Sequence, residues 1–217
     1  MSPSRRIESR ERGQIMDELD SLILDQAKLR FDRFGFQKTT MDEISRDCRI
    51  SKRTLYERFQ DKQHLFDSLI EREGHKDLEN ILKRLGEVAD PLDRLLNLLR
   101  TSIDYFSEDT FLTRLLKNDI SLYSTMLNGK STRLITEHLI HIINNIINEG
   151  KQCGRIRPEV DGEIAAYIGF RLFQSFSYMR TIPFDAVKEK QGLYTEALVD
   201  FFYHALINDE QRREKQV

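Results

Sequence analysis

Glycine and proline are so scarce in this chain that it has few places to stop being helical. Ten glycines and four prolines serve 217 residues, and long stretches pass with neither, which favours a mostly helical protein. A chain of this length buries a sizeable core in one or two domains. Charged residues make up 32% and nearly balance at a net −2, so the total charge says little about partners. Its distribution says more. Residues 26–62 hold 10 Lys/Arg against 6 Asp/Glu, and the part after Lys62 holds 20 against 24. That asymmetry fits an N-terminal anion-binding module on a weakly acidic body, and random scatter fits it equally.

The two cysteines, Cys48 and Cys153, form no CxxC and no zinc-like array, so a reducing cytoplasm is the expected compartment. Neither a signal-peptide core nor an apolar run of about 20 residues is present. Residues 1–14 are polar, with four arginines and two glutamates, and are expected to be poorly ordered: a solvated tail or a basic arm on a nucleic-acid backbone.

From Ile15 the pattern changes. Ile15, Leu19, Ile23, Ala27, Phe31 and Phe34 lie on one helical stripe, and Gly35 follows where a left-handed cap is expected. Thr40 and Glu43 form a T-x-x-E capping box opening a short helix whose apolar side is Met41, Ile44 and Cys48. The chain breaks near Arg49 and Ile50, and Ser51 is an N-cap for a third helix reaching Phe59. Asp61 caps a fourth, with Leu65, Leu69, Ile70, Leu78 and Leu82 inward. Two short helices about a tight turn have the spacing of a helix-turn-helix, with Ile44, Cys48, Ile50, Leu55 and Phe59 closing a small core on Phe31 and Phe34; an ordinary helical hairpin has the same geometry.

At about 100° per residue, Leu55 and Phe59 fall about 40° apart and define the buried face of the third helix. Arg53 and Glu57 point outward; Lys52 and Tyr56 occupy one flank, Thr54 and Arg58 the other. A helix held this way can enter a major groove roughly 12 Å wide with its first residues at the base edges. Arg53 suits bidentate reading of guanine, Lys52 acts as a point charge, and the hydroxyls of Tyr56 and Thr54 suit phosphate. Lys62 opens the next helix, an unfavourable place for a cation unless an anion lies opposite. Glu57 either accepts from a cytosine amine, pairs with Arg53 at i, i+4, or points past the groove.

"FGFQKTTMDEIS" and "ISKRTLYERFQDKQHL" follow the pattern G-[FY]-x-x-T-[TS]-[MV]-x-x-I-[AS] … S-x-x-T-[LF]-Y-x-[HRY]-F-x-x-K-x-x-L. Over about residues 27–70 the chain resembles the tetracycline-repressor (TetR) family of bacterial transcriptional regulators. The resemblance implies an all-α fold: an N-terminal three-helix helix-turn-helix DNA-binding domain, residues 1–62 with the N-terminal arm, and a C-terminal helical ligand-binding and dimerisation domain, residues 63–217. It implies DNA contacts from Thr40, Ser51, Lys52, Arg53, Thr54, Tyr56 and Lys62. Cys48 and Arg49 depart from the family's Ala-Gly turn, so Arg49 is expected to need a left-handed backbone. Arg53 replaces a frequent Gly and adds a long cation to the groove-facing surface.

Beyond about residue 85 the resemblance covers architecture only. Asp90-Pro91 marks a helix start, "TFLTRLLKNDI" a further segment, and about Thr132–Lys151 a long helix carrying Leu134, Leu139, Ile142, Ile143, Ile146 and Ile147. The turn-rich "GKQCGRIRPEVDG" resembles the junction before the family's last two helices, here about Gly162–Arg180 and Leu193–Ile207, and that resemblance implies a four-helix bundle with a second subunit. Their aromatic load exceeds what one amphipathic face requires, which favours an interface through Phe173, Phe176, Phe201 and Phe202, with a purely intrachain core the alternative. Small molecules usually bind among the family's middle helices, where Tyr105, Phe106, Phe111, Tyr123 and Phe170 are pocket candidates, with plain core packing the alternative. His138 and His141 share a helix face without a third ligand, and no catalytic motif stands out. The expectation is therefore a cytoplasmic, dimeric repressor, not an enzyme and without cofactor or metal. It would leave a pseudo-palindromic operator when a small molecule binds. The alternative is a helical ligand-binding or protein-interaction scaffold that has lost DNA binding.

Overall fold

The computed structural model describes residues 3–105, 108–118, 122, 130–181 and 191–208. Helices α1 (Pro3–Phe34), α2 (Met41–Asp47), α3 (Lys52–Arg58), α4 (Lys62–Leu85), α5 (Pro91–Tyr105), α6 (Phe111–Asn118), α7 (Lys130–Gln152), α8 (Gly162–Thr181) and α9 (Gln191–Leu206) follow the expected order. Apart from one antiparallel bridge between Ile156 and Ile207, all regular structure among the described residues is helical. Helix α1 reaches back to Pro3, where residues 1–14 were expected to be a poorly ordered arm. Proline suits a first helical position, and no helix breaker follows until Gly13.

Two compact units divide the chain: Met1–Glu73 with Arg114–Thr132, and Gly74–Thr113 with Arg133–Val217. The division falls inside α4, not at Lys62. The first turns of α4 belong with the N-terminal helices because Leu65, Phe66 and Leu69 are fully buried and Phe66 packs edge-on to Phe31 at 5.7 Å.

In the first unit the predicted α1 stripe is buried at Ile23, Ala27 and Phe31. Gly35 takes φ 81°, as the end of α1 requires, and its N–H returns to the Phe31 carbonyl at 3.0 Å. The reversal swings Phe36 inward, 5.5 Å from Phe31 and 4.6 Å from Phe66. Phe34 is therefore not the core residue expected: it is 45% exposed beneath the guanidiniums of Arg30 and Arg33. Phe36 fills the space instead. The buried carboxylate of Glu73 receives Lys28 of α1 at 2.5 Å, and Arg114 grips Asp32 through two contacts, 2.8 and 2.9 Å.

The second unit is a bundle built on α5, α7, α8 and α9. Asp90 caps α5 by accepting from Asp93 N at 3.0 Å and also holds Arg155 of the α7–α8 turn. Leu92, Leu96, Ile147, Ile156, Val199 and Leu206 form its principal core, each fully buried side chain contributing about 1.5–3 kcal/mol. Arg157 N donates to the Leu206 carbonyl at 3.0 Å, fastening the end of α9 to the turn before α8. No helix among the described residues is long and apolar enough to cross a membrane.

Candidate nucleic-acid interface

Local chemistry dictates where α2 ends and α3 begins. Thr40 (φ −117°, ψ 154°) caps α2 with a complete capping box: Glu43 N donates to Thr40 Oγ1 at 3.3 Å, and Glu43 Oε2 accepts from Thr40 N at 2.9 Å and from its hydroxyl at 2.8 Å. Those bonds, the hydroxyl's first, hold the Glu43 carboxyl below its ordinary range. The Thr40 hydroxyl proton is thus committed within the protein.

The turn is a Schellman motif. Arg49 N donates to Arg46 O at 3.1 Å, and Ile50 N to Ser45 O at 3.0 Å. Arg49 sits at φ 56°, the one non-glycine residue described with positive φ, as the departure from Ala-Gly implied. Ser51 then caps α3, its Oγ accepting from Thr54 N at 3.0 Å.

Leu55 is fully buried and Phe59 nearly so, and with Ile44 and Cys48 they close the predicted small core. Burial, more than the Asp47 charge, pushes the Cys48 thiol up to about 11, which makes it an inert packing group. Ile50 is only half-buried. The opposite face of α3 is open. Ser51, Lys52, Arg53, Tyr56 and Glu57 are exposed, Thr54 and Arg58 half-buried.

Of the three roles open to Glu57, the structure has it paired with Arg53 at 2.9 Å. Lys52 reaches Asp42 of α2. Both are exposed pairs, worth little and readily exchanged for other partners. Arg58 faces Asp20 of α1 at 3.6 Å and is tied to the scaffold. Lys62 shows what lies opposite its helix terminus: Nζ donates to the carbonyls of Phe36 (2.9 Å), Gln37 (3.3 Å) and Thr39 (3.0 Å) and rests 4.5 Å above the Phe36 ring. Carbonyl dipoles of the α1–α2 loop supply the negative potential for which the sequence alone suggested phosphate.

Arg30 escaped the sequence reading. It binds Asp47 at 2.5 and 3.3 Å and Glu43 at 3.2 Å, bracing α1 against both ends of α2. No periodicity or motif distinguishes it from the other arginines of α1.

In the second unit an apolar cavity of about 60 Å³ lies among α5, α7, α8 and α9. Phe170 lines it, as do Leu99, Leu139, Ile143 and Phe202. Tyr105 and Phe111 are buried but do not line it; the Tyr105 hydroxyl instead donates to Asp77 at 2.7 Å. Phe106 and Tyr123 lie outside the described residues. Of the four aromatics expected at an interface, Phe201 is 59% exposed, whereas Phe202 packs on the principal core; the side chains of Phe173 and Phe176 lie outside what is described. Ile164, Tyr167 and Ile168 on α8, with Leu193 and Tyr194 on α9, are exposed apolar side chains as well. His141 Nε2 lies 3.1 Å from Asn145, and no group of three metal-ligating side chains occurs among the described residues.

Residues 23–69 match the family described as bacterial regulatory proteins, tetR family. The chain is 25% identical over 159 residues, 70% of its own length and 78% of the relative's, to the uncharacterised HTH-type transcriptional regulator YhgD of Bacillus subtilis strain 168. Its fold is similar to a tetR-family transcriptional regulator from Pectobacterium atrosepticum (TM-score 0.66, 17% identity, 88% of this chain and 92% of that one). It is similar also to SmeT, repressor of the Stenotrophomonas maltophilia multidrug efflux pump SmeDEF (TM-score 0.66, 16% identity, 88% and 91%).

Proposed function

We propose that the chain, whose residues 23–69 match the tetR family of bacterial regulatory proteins, is a regulator of that kind: a dimeric repressor released from a pseudo-palindromic operator by a small molecule. One observation carries the DNA reading: α3 buries Leu55 and Phe59 while Ser51, Lys52, Arg53 and Tyr56 stand exposed on the rest of its surface. Capping at Ser51 and the Schellman turn at Arg49 fix that face before any ligand arrives, so little ordering cost remains at binding. Arg53, with its side chain 89% exposed, reads bases; Lys52, Thr54 and Tyr56 meet phosphate. Thr40 and Lys62 act chiefly by shaping the elements that present these groups.

A gel-shift titration with the DNA upstream of the gene tests this reading. Binding is expected to be specific and salt-sensitive, weaker in Tyr56→Phe, and altered in sequence preference in Arg53→Ala. A uniform loss across operators in Arg53→Ala would demote that residue to a phosphate contact.

The exposed apolar side chains of α8 and α9 support self-association, which would pair the recognition helices for paired half-sites. The effector reading follows from the cavity among α5, α7, α8 and α9. A scaffold that no longer binds DNA is favoured by a different observation: Lys52 and Arg53 are both paired with acids. A genome-wide DNA selection that recovered no specific site would decide for the scaffold.

A further inference from the structure

The cavity of the second unit restricts what can enter it. Among the described residues that line it, Ser102 of α5 carries the one polar side chain, and every other lining group is aliphatic, aromatic or glycine. A carboxylate, phosphate or ammonium placed there would lose its water and gain no charged partner, a large net cost. Helix α5, which supplies Ser102, carries two cations, and both are engaged. Arg94 forms a two-pronged pair with Glu149 at 2.9 and 3.0 Å, and Arg100 another with Glu196 at 2.8 and 3.0 Å. Recruiting either for a ligand would leave a glutamate without its partner.

The space is real but small. About 60 Å³ is several times the roughly 10–15 Å³ that one water requires, yet a wall this apolar offers water too few hydrogen bonds to hold it. Gly169 of α8 contributes to the opening. A Cβ added there would meet only the Phe202 ring, at 3.5 Å, an ordinary contact. A glycine in mid-helix is unfavourable against alanine, and no close approach requires this one.

We infer that the cavity among α5, α7, α8 and α9 takes an uncharged, largely hydrocarbon small molecule bearing one hydroxyl or carbonyl, which the Ser102 hydroxyl meets. The inference rests on reading this cavity as the effector site and specifies its chemistry.

Titration calorimetry of the protein tests it with three probes short enough for this space and of equal chain length: 1-propanol, propanoate and propylammonium. 1-Propanol is expected to bind one per chain with a negative heat-capacity change, and the two ions about tenfold more weakly or worse. Ser102→Leu fills the space from α5 and should abolish propanol binding. Gly169→Ala, which narrows it from α8 and favours helix, should weaken binding about threefold or more. Thermal unfolding of both variants confirms that they fold. Propanoate or propylammonium binding as tightly as propanol would overturn the inference. So would propanol binding undiminished in both variants, or no binding by any probe. A gel shift with 1-propanol separates the two readings: calorimetric binding without a change in operator affinity upholds the chemistry of the cavity and counts against its role in DNA release.

Discussion

Lys62 and Phe36 are joined twice: the ammonium donates to the Phe36 carbonyl at 2.9 Å and lies 4.5 Å over the centre of its ring. Two more carbonyls, of Gln37 and Thr39, complete the ammonium's partners. One cation at the start of α4 thereby fixes the loop that delivers Thr40 to the cap of α2. Lys62→Met keeps the stem and removes the charge. It is expected to cost about 1–3 kcal/mol, a fall in melting temperature of roughly 2–10 °C. Operator binding should weaken uniformly across sequences. A variant with unchanged melting temperature but lost DNA affinity would show that Lys62 serves phosphate and not the loop.

Arg49 stands where the turn demands a left-handed residue, at φ 56°, a conformation that costs a side-chain-bearing residue roughly 1–2 kcal/mol. Glycine relieves that strain but loosens the unfolded chain, which offsets part of the gain. Arg49→Gly should therefore stabilise by about 0.5 kcal/mol, read as a higher urea midpoint at unchanged slope. Arg49→Val should destabilise by about 1 kcal/mol or more, because a β-branched residue tolerates positive φ worst. Equal midpoints for both variants would mean that the turn relaxes out of the left-handed region.

Acid should undo the cap of α2. Hydrogen bonds from the Thr40 hydroxyl and N–H, reinforced by the Arg30 charge, hold the Glu43 carboxyl below its ordinary value of 4.5. A carboxyl depressed in the folded state adds stability that is fully present above that ordinary value. The contribution is lost as pH falls through the lower folded value. Urea midpoints taken from about pH 6 down to about pH 3 should therefore drop more steeply in the natural protein than in Glu43→Gln. Parallel curves would remove Glu43 from the acid response.

Much of the fold was legible because its signals are local. The Thr40–Glu43 box, the Ser51 cap, Gly35 and Asp90-Pro91 are each a backbone requirement met by a particular side chain a few residues away, and all four appear where the spacing put them. Phe34 was misplaced because periodicity cannot see that Gly35 returns Phe36 to the same space. Lys62 was half-read: the sequence gives its position at a helix start, but the three carbonyls opposite come from a loop 23–26 residues earlier. Arg30 was missed for the same reason, since its carboxylate partners belong to another helix. In the cavity, chain pattern marks aromatics without saying which face a space: of the three candidates among the described residues, Phe170 lines it and Tyr105 and Phe111 do not.

Phe201 and Phe202 are neighbours in sequence with opposite surroundings, and that contrast tests the proposed self-association. Their rings meet at 87° with centres 5.7 Å apart, yet Phe201 is 59% exposed while Phe202 packs on the core of its own bundle. A charge at Phe201 is solvated in a lone chain and buried without a partner in an interface. Phe201→Glu should therefore leave the melting temperature of the isolated chain nearly unchanged while shifting the protein to monomer in size-exclusion light scattering. Affinity for a two-half-site operator should fall by roughly tenfold or more, and affinity for a single half-site should not. Phe202→Glu places the same charge at a half-buried position against the core and should lower the melting temperature itself. If Phe201→Glu stays dimeric at micromolar concentration, this part of α9 is not the interface, and the exposed apolar side chains of α8 become the next surface to charge.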